Sequence, residues 1–367
     1  MRTVARALFM SRIPAHSPCR AALLACAMTV VPLSIAPVSA ATKTANAAHG
    51  YAQRADVRMF VDELVAGHEF GRRQLLRWFA AAQFQPKIIA AMERPIVEPP
   101  KWFEYAPQFL SAERVDGGVA YFRAHEEELA RAEREYGVPA EIIVAIVGVE
   151  TYYGRNMGRY RVFDALTTLA FDYPRRAAFF RGELKDFLLL MQEQGISPLA
   201  AKGSFAGAMG VPQFMPGSYR RFAIDFDGDG RIDLWESGAD VVGSVAHYLA
   251  RHDWEAGQPV LLPATIDAEQ QDAVARKLDG GISERRPMWS WEADGVTADA
   301  LASEIPAEPV GLLMLEEQPV NGEDRASYWI ACANFYAITR YNRSRLYASA
   351  VFQLAQAVKA ARENGQR

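Results

Sequence analysis

Most of this chain alternates between apolar and polar positions with the period of an α-helix. Apolar residues recur at three- and four-residue spacing, which predicts amphipathic helices with one buried face. The helical runs are 56–65, 72–82, 118–136, 177–194, 240–251 and 344–362. After Gly257 the pattern changes to short apolar runs bounded by turn residues, which predict strands. These runs are 259–262, 309–316 and 328–332, with a short charged helix at 268–278. The sequence therefore predicts a mainly α (α+β) fold.

One segment, 139–154, is apolar on every side rather than on one face. Pro139, a favoured first helical residue, precedes eight uncharged residues from Ile142 to Val149. A helix without a polar face is predicted to be buried. Glu150 follows, and Gly154 is the predicted stop.

Glu150 is the one carboxylate at the end of this apolar segment. An ionised carboxylate is costly to bury, so it either finds a partner or its pKa rises until it holds a proton near neutral pH. A carboxylic acid that keeps its proton beside aromatic rings suits a general acid for glycosidic bonds. The alternative is a structural Glu that caps a backbone group or pairs with an Arg.

Length and composition fit a globular chain. The 367 residues, half of them hydrophobic, suffice for one large or two ordinary domains. We predict an α-rich region at 56–256, a small β-containing region at 257–335, and a C-terminal segment at 336–367 whose helix packs back on the α-rich region.

Residues 1–40 predict an export signal, and 41–55 a disordered spacer. The first 40 residues hold four Arg, no acidic residue, an apolar run at 21–36 and a Val-Ser-Ala sequence at 38–40 that fits the cleavage pattern. We therefore expect an exported, periplasmic protein. Cys26, in a Leu-Leu-Ala-Cys sequence, leaves an outer-membrane lipoprotein as the less favoured alternative, because the apolar run continues beyond it. Pro32 and Pro37 disfavour a retained transmembrane helix.

The charge balance excludes some partners. Without the four Arg of residues 1–40, 36 basic side chains face 44 acidic ones, a net charge of −8. Such a chain has no electrostatic reason to bind nucleic acid or an anionic membrane. Cys332 is the only Cys beyond residue 40, so the cleaved chain forms no internal disulfide.

The segment 225–236, DFDGDGRIDLWE, matches the twelve-residue calcium loop in every slot. Oxygen-bearing side chains occupy positions 1, 3, 5, 9 and 12, namely Asp225, Asp227, Asp229, Asp233 and Glu236. Gly230 takes the sharp turn at position 6, and Arg231 at position 7 offers its backbone carbonyl. Calcium takes about seven hard oxygen ligands in a flexible shell. We predict one structural Ca²⁺; the alternative is an Asp-Gly turn without an ion.

Two further groups of residues suit a sugar-binding cleft. In 203–216, GSFAGAMGVPQFMP, Ser204 and Gln213 offer hydrogen bonds to hydroxyl or acetamido groups between flexible glycines. Tyr341, Asn342 and Tyr347 place aromatic rings next to an amide, and such rings stack on sugar faces. The alternatives are a tightly packed loop for the first group, and core packing or helix capping for the second.

Three segments together resemble the membrane-bound lytic murein transglycosylase B family of bacteria. They are ETYYGRNMGRYRVFDALTTLAFDYPRRAAFFRGEL, KGSFAGAMGVPQFMPGSYRRFAIDFDGDGRIDLW and NFYAITRYNRSRLYASAVFQLAQAV, and the resemblance covers 56–361. It implies a lysozyme-like catalytic core, an additional α-helical region and a small β region around one cleft. It also implies cleavage of the β-1,4 bond between N-acetylmuramic acid and N-acetylglucosamine in peptidoglycan, with a 1,6-anhydro end and no catalytic cofactor.

The resemblance also implies roles for individual residues. Glu150 would be the sole acid/base. The residues implied to contact substrate are Ser204, Gln213, Tyr341, Asn342, Tyr347, Arg175, Arg176, Tyr248 and Tyr105. The implied calcium ligands are Asp225, Asp227, Asp229 and the Arg231 carbonyl, with Glu236 or Asp240 as the last ligand.

The expected partners are peptidoglycan glycan strands, with cell-wall synthases or amidases as protein partners of a monomer. Two other functions remain open from the sequence. One is a muramidase that hydrolyses the same bond with water, and the other is a non-catalytic peptidoglycan-binding protein.

Overall fold

The computed structural model describes residues 50–94 and 99–365. The predicted export signal, and the predicted spacer as far as residue 49, lie outside these residues. Among the described residues, no helix has both the length and the apolar character needed to cross a lipid bilayer.

The fold is mainly helical with a small antiparallel sheet, as predicted. The α-helices are α1 (Ala55–Gly67), α2 (Arg72–Ala81), α3 (Pro86–Glu93), α4 (Trp102–Tyr105), α5 (Ala112–Ala124), α6 (Glu126–Tyr136), α7 (Ala140–Thr151), α8 (Val162–Asp172), α9 (Ala177–Glu193), α10 (Pro216–Phe222), α11 (Gly238–Ala250), α12 (Gln271–Ala275), α13 (Met288–Glu292), α14 (Ala333–Tyr341) and α15 (Arg345–Gly365). Short 3-10 helices occupy Tyr51–Gln53, Ala106–Gln108, Pro174–Arg176, Ala268–Gln270 and Ala302–Glu304. The strands are β1 (Tyr160–Arg161), β2 (Lys202–Gly203), β3 (Leu261–Ile266), β4 (Val296–Ala298), β5 (Gly311–Val320) and β6 (Glu323–Ala331).

The spacer predicted for 41–55 is wrong in its last residues. Tyr51 is buried, and its hydroxyl donates to a carboxylate oxygen of Asp172 at 2.6 Å. Arg54 is also buried and pairs with the same carboxylate at 2.6 Å. The small polar residues before Tyr51 had suggested disorder. The hydrogen bond and the ion pair to Asp172 instead hold Tyr51 and Arg54 against the end of α8.

The single helix predicted for 118–136 is two helices, α5 and α6. The break is at His125, whose φ of −129° and ψ of 32° are not helical. Ser111 caps α5 by accepting from the Arg114 amide at 3.3 Å. Three consecutive acids, 126–128, form the first turn of α6, where the helix dipole favours negative charge. These three acids had suggested the exposed face of one long helix, but they mark the start of a second helix.

A four-stranded antiparallel sheet, in the order β4-β3-β6-β5, forms the β-containing part of the chain. Leu262 pairs with Ile330 across β3 and β6, and Leu313 pairs with Trp329 across β5 and β6. Asn321 and Gly322 turn the β5–β6 hairpin with φ of 56° and 83°, as an Asn-Gly two-residue turn requires. This turn starts β6 at residue 323, five residues before the predicted strand.

The two faces of this sheet pack into different hydrophobic clusters. Leu313, Leu315 and Ala331 join the large core that runs through the helices. Leu312 and Ile330 face a smaller cluster around Trp291. The sheet is therefore attached to the helical part through one face and covered by its own short helices on the other. The domain limits at 257 and 335 remain predictions.

Helix α7 lies at the centre of the helical part. It packs against α5, α6, α11 and α15. Every side chain from Ile142 to Val147 is buried, as its uninterrupted apolar sequence predicts. Burying the five Ile and Val side chains of this run contributes roughly 8–15 kcal/mol before conformational entropy is subtracted. The end of α7 is therefore held in a fixed position by the core.

Candidate active site

Helix α7 ends one residue after Glu150, and the chain turns immediately. Tyr152 and Tyr153 both have left-handed backbones, with φ of 55° and 60°. Their amides donate to the Gly148 and Val147 carbonyls at 3.1 and 3.3 Å, which satisfies the free end of the helix. The predicted stop, Gly154, is therefore not the cap. Left-handed tyrosines each cost on the order of 1–3 kcal/mol, a strain found at functional sites when the surroundings enforce it.

The Tyr153 side chain enforces this turn. Its hydroxyl donates to the Arg114 carbonyl of α5 at 2.9 Å. A β-carbon at Gly148 would lie 2.6 Å from the Tyr153 hydroxyl oxygen, and one at Gly118 would lie 2.7 Å from it. Two glycines on facing helices therefore make room for one ring, and this ring fixes the position of Glu150.

The Glu150 carboxylate meets the hydroxyl of Tyr347 from α15. The hydroxyl donates to Oε1 of Glu150 at 2.6 Å. Burial raises the pKa of Glu150 to about 7, while the hydrogen bond from Tyr347 acts in the opposite direction. Burial and the charge of Glu150 raise the pKa of Tyr347 well above its usual value, so Tyr347 keeps its proton and remains a donor.

Aromatic rings extend from this pair along one side of the site. The Tyr341 and Tyr347 rings are stacked, with centroids 6.4 Å apart and planes inclined by 15°. Tyr341 also contacts the ring of Tyr248 at 4.8 Å. The Tyr341 hydroxyl donates to the Pro212 carbonyl and that of Tyr248 to the Arg340 carbonyl, both at 2.7 Å. Tyr248 is buried and supports Tyr341 by packing against its ring.

Glu150 opens into a groove of about 580 Å³. Its lining residues are Glu150, Arg155, Asn156, Met157, Gly158, Arg159, Tyr160, Ser204, Phe205 and Gln213. The structure thus brings three of the predicted site residues, Glu150, Ser204 and Gln213, to one surface.

Ser204 and Gln213 each keep one polar group free for a ligand. The Ser204 Oγ accepts from the Ala206 and Ala208 amides at 3.3 and 3.0 Å, which leaves its hydroxyl proton to donate. The Gln213 side-chain nitrogen donates to the Met157 carbonyl at 3.1 Å and to the Gly210 carbonyl at 2.8 Å. Its amide oxygen is left to accept. The pair therefore offers one donor and one acceptor beside the acid.

Tyr105 lies near the acid but outside the groove lining. Its side chain packs on the Phe109 ring at 5.0 Å. Burial, and then the charge of Glu150, raise the pKa of the Tyr105 hydroxyl. This places Tyr105 within electrostatic range of Glu150, and its role in substrate binding remains a prediction.

Three other predicted residues, Arg175, Arg176 and Asn342, are not among those that line the groove around Glu150. All three are exposed. The Arg176 guanidinium stacks over the Phe179 ring at 4.3 Å. Their contacts with substrate remain predictions.

Sequence reasoning missed the loop that follows Glu150. Arg155, Asn156, Met157, Arg159 and Tyr160 line the groove, although none had been assigned a role. This loop has no hydrophobic period. The available signal was the position of the loop in the sequence. It lies between Glu150 and the next helix and carries two cationic side chains, Arg155 and Arg159.

The acidic loop brings together the first three predicted calcium ligands. Carboxylate oxygens of Asp225, Asp227 and Asp229 all lie within 4.8 Å of one another. Gly230 makes the turn with a φ of +88°. The Asp225 carboxylate also accepts from the Gly228 amide at 2.7 Å, which fixes the start of the loop. Three hard oxygen donors converging in a preformed turn fit calcium.

The two candidates for the last ligand differ in their surroundings. Asp240 is 1% exposed. Its two oxygens accept from the Phe226 and Asp233 amides, both at 2.7 Å. Glu236 is exposed. Neither Asp240 nor Glu236 belongs to the cluster of three carboxylates. Through its two hydrogen bonds, Asp240 connects the loop at Phe226 and at Asp233 to the start of α11.

The family model described as the transglycosylase SLT domain matches residues 52–356. This match covers nearly all of the described fold. The chain belongs to the transglycosylase SLT family. This confirms the resemblance on which the assignment of residues rested.

Relatives of this transglycosylase agree with the match over most of their length. It is 40% identical, over 327 residues and 85% of each chain, to the Escherichia coli protein named membrane-bound lytic murein transglycosylase B. It is 44% identical to the solved soluble lytic transglycosylase SltB1 from Pseudomonas aeruginosa, with a TM-score of 0.76, covering 84% of this chain and 99% of that one.

A second solved structure is also similar over most of its length. The Escherichia coli lytic transglycosylase Slt35, solved in complex with calcium, is 40% identical with a TM-score of 0.76, and the match covers 85% of this chain and 95% of that one. These neighbours confirm the predicted lysozyme-like transglycosylase fold.

Proposed function

We propose that this transglycosylase cleaves the β-1,4 bond between N-acetylmuramic acid and N-acetylglucosamine, leaves a 1,6-anhydro end, and uses Glu150 as both acid and base. Family membership makes the chain a peptidoglycan lytic transglycosylase. The observation that carries the role of Glu150 is its position. It is the single carboxylate among the residues that line the groove, and its pKa of about 7 lets it hold and release a proton near neutral pH.

The first step is protonation of the leaving group. Glu150 gives its proton to the glycosidic oxygen as the bond to the anomeric carbon breaks, and the bonding electron pair leaves with that oxygen. The Glu150 carboxylate that remains accepts the hydrogen bond from Tyr347. A short hydrogen bond to a developing charge stabilises it more than it stabilises the neutral acid.

The second step closes the anhydro ring. The ionised Glu150 accepts the proton of the muramyl 6-hydroxyl while that oxygen bonds to the anomeric carbon, and no water is consumed. Hydrolytic glycosidases generally need a second carboxylate to activate water or to attack the sugar, and the lining of this groove offers one carboxylate only. An internal hydroxyl has a high effective molarity, so its attack needs no separate base.

Other groove residues support substrate binding. Phe205 is 41% exposed and lines the groove, which suits a ring that stacks on a sugar face. Ser204 and Gln213 offer a donor and an acceptor to the acetamido groups. Glycan strands are therefore the partner, while protein partners and the monomeric state remain predictions.

We propose that the acidic loop holds one structural Ca²⁺. The ligands would be the carboxylates of Asp225, Asp227 and Asp229 and the Arg231 carbonyl. Asp240 would be the last ligand, because the charge of Asp227 contributes to raising the pKa of Asp240, whereas Glu236 is exposed. The solved complex of a relative with calcium supports an ion at this loop. The ion would hold the chain between the groove and α11.

The localisation follows from sequence features outside the described residues. Residues 1–40 favour export, and the Escherichia coli relative is named membrane-bound. We propose a periplasmic enzyme, with a lipid anchor at Cys26 as the alternative.

Digestion of purified peptidoglycan sacculi tests the function. We expect the exported form of the protein to release muropeptides that end in anhydro-muramic acid, each one water lighter in mass spectra than its hydrolytic counterpart. Glu150→Gln should release none. Products with reducing ends would identify a muramidase, and binding without release would identify a non-catalytic wall protein.

A further inference from the structure

We propose that Arg155 and Arg159 form a subsite that binds a carboxylate on the muramyl substituent of the glycan. The groove would then favour strands that carry negative charge at this position. The inference rests on the proposed function and adds a specificity determinant to it. Two sources share this chemistry, namely the lactyl carboxylate of a bare muramyl residue and the carboxylates of a peptide stem.

The charges around the groove support an anionic ligand. Both guanidinium groups belong to exposed side chains in the lining. In the part of the chain that the structure describes, neither side chain forms an ion pair or a hydrogen bond with a protein group. By contrast, Arg161 in the next strand pairs with Asp164 at 2.7 Å. Guanidinium groups present paired donors that match the geometry of a carboxylate, so two of them beside one groove suit a carboxylate-bearing ligand.

The backbone between the two arginines is held in place. The Asn156 amide donates to the Thr151 carbonyl at 2.9 Å, and the Met157 carbonyl accepts from the Gln213 side chain. Gly158 has a φ of +88°, and a β-carbon there would lie 2.2 Å from the Gly203 carbonyl oxygen. The loop is thus pressed against the segment that carries Ser204. A fixed loop loses little freedom when it binds a ligand.

Aromatic contacts orient the first arginine. The Arg155 guanidinium lies over the Tyr152 ring, 4.8 Å from its centroid. Tyr152 is itself fixed by its left-handed backbone and by the Arg114 guanidinium, which lies 4.5 Å from the ring centroid. Arg159 is placed by the adjacent strand, where Tyr160 pairs with Gly203. Both cations are therefore presented from defined positions.

The arginines do not act on the acid itself. The pKa of Glu150 is set by burial and by Tyr347, and neither arginine contributes to it. An opposite charge within about 4–6 Å would lower that pKa. The two cations line the same groove as Glu150, where a charged substituent of a bound strand can reach them.

Steady-state kinetics of matched variants tests this subsite. We compare wild type with Arg155→Gln, Arg159→Gln and the double variant. The control is Arg73→Gln, which removes an exposed cation of α2 that has no ion-pair partner among the residues that the structure describes. The substrates are soluble glycan strands with peptide stems, the same strands after their carboxylates are converted to amides, and strands whose stems have been removed to expose the lactyl carboxylate.

We expect each single variant to raise KM about tenfold on strands whose carboxylate the subsite binds, the change that follows from loss of one charge-assisted contact, and the double variant to raise it further. The value of kcat and the pH limb assigned to Glu150 should not change. If the peptide carboxylates are the ligand, wild type should itself show a higher KM on amidated strands. Arg73→Gln should match wild type on every strand. In strands with stems the lactyl group is an amide, so a KM increase confined to those strands identifies the peptide carboxylates as the source. An increase confined to stem-free strands identifies the lactyl carboxylate, and an increase on both shows that the arginines bind either one.

The subsite is refuted if the double variant has the wild-type KM on both stem-bearing and stem-free strands, or if it lowers kcat and leaves KM unchanged. The proposed function fails in a different way, because wild type would then release no anhydro products from any strand. Circular dichroism and the melting temperature of the double variant show whether its fold is retained.

Discussion

The Tyr347 hydroxyl lies 2.6 Å from Oε1 of Glu150, and 197 positions separate the two residues in the sequence. Burial of Glu150 favours the neutral acid, and Tyr347 favours the carboxylate. Together these opposing effects place the pKa of Glu150 at about 7. An acid balanced in this way can both give and take a proton at the pH of its surroundings.

Tyr347→Phe removes the donor and keeps the ring. The pKa of Glu150 should rise, because the carboxylate loses its hydrogen bond. Activity requires protonated Glu150, so the alkaline limb of the kcat/KM profile should move to higher pH by about one unit. The value of kcat should fall about tenfold, since the carboxylate formed in the first step is no longer stabilised.

Tyr341→Phe is the matched control for this change. Its hydroxyl donates to the Pro212 carbonyl and not to Glu150. The alkaline limb should therefore stay where it is in wild type. If both variants move the limb equally, general disturbance of the aromatic row, and not the hydrogen bond, sets the pKa of Glu150.

Glu150→Gln should abolish turnover and stabilise the fold at alkaline pH. The pKa of Glu150 in the folded protein is about 7, above the ordinary value of 4.5. The folded state therefore holds a proton that the unfolded chain releases, and wild type loses stability as pH rises from 4.5 to 7. Glutamine does not titrate. The variant should resemble wild type near pH 4 and exceed its unfolding free energy at pH 8 by about 3 kcal/mol.

Urea unfolding at the two pH values measures this difference. A stability difference that is the same at both pH values would mean that the carboxyl group is not neutral in the folded protein near pH 7. Residual turnover of more than a trace would show that another group is the acid.

Gly148→Ala should destabilise the end of α7. The new β-carbon would lie 2.6 Å from the Tyr153 hydroxyl oxygen, so the ring and the turn after Glu150 must shift. We expect a loss of about 1–3 kcal/mol in unfolding free energy, together with reduced kcat. Gly182→Ala is the control, because Gly182 lies inside α9 with no neighbour within 4 Å of a β-carbon. That change should stabilise the protein by up to about 1 kcal/mol.

Calcium should raise the melting temperature, and a chelator should lower it. Asp227→Asn should weaken this response, because it removes one of the three converging carboxylates. Asp240→Asn should lose the response and also lower the melting temperature without calcium, since Asp240 accepts from the Phe226 and Asp233 amides. Glu236→Gln should keep the calcium response. The opposite result for the last two variants would make Glu236 the final ligand.

Local patterns predicted the parts of the fold that depend on neighbours in sequence. The apolar run of α7 and the slots of the acidic loop each lie within about a dozen residues, so their periodicity and spacing were sufficient. The break at His125 was missed because the three acids after it were interpreted as one solvated face. The early start of β6 was missed because the Asn321-Gly322 dipeptide was not interpreted as a hairpin turn.

The groove depends on contacts between distant segments, which periodicity does not record. Ser204 and Gln213 were predicted as sugar-binding residues from the sequence of their own loop. The loop at 155–160 has no regular pattern, so Arg155 and Arg159 were not identified as lining residues. Tyr347 was predicted as a residue of the sugar cleft and not as the partner of Glu150. A tyrosine on a distant amphipathic helix gives no sign of which side chain it will meet.

The order of these segments along the chain determines when activity can appear. In a polypeptide that folds from its N-terminus, Glu150 is present well before α15 can dock. Until that helix arrives, the acid lacks the hydroxyl that sets its proton affinity, and α7 lacks part of its packing. Fragments that end before α15 should therefore be less active and less stable than the whole chain, because Glu150 reaches its native proton affinity only after the last helix has folded.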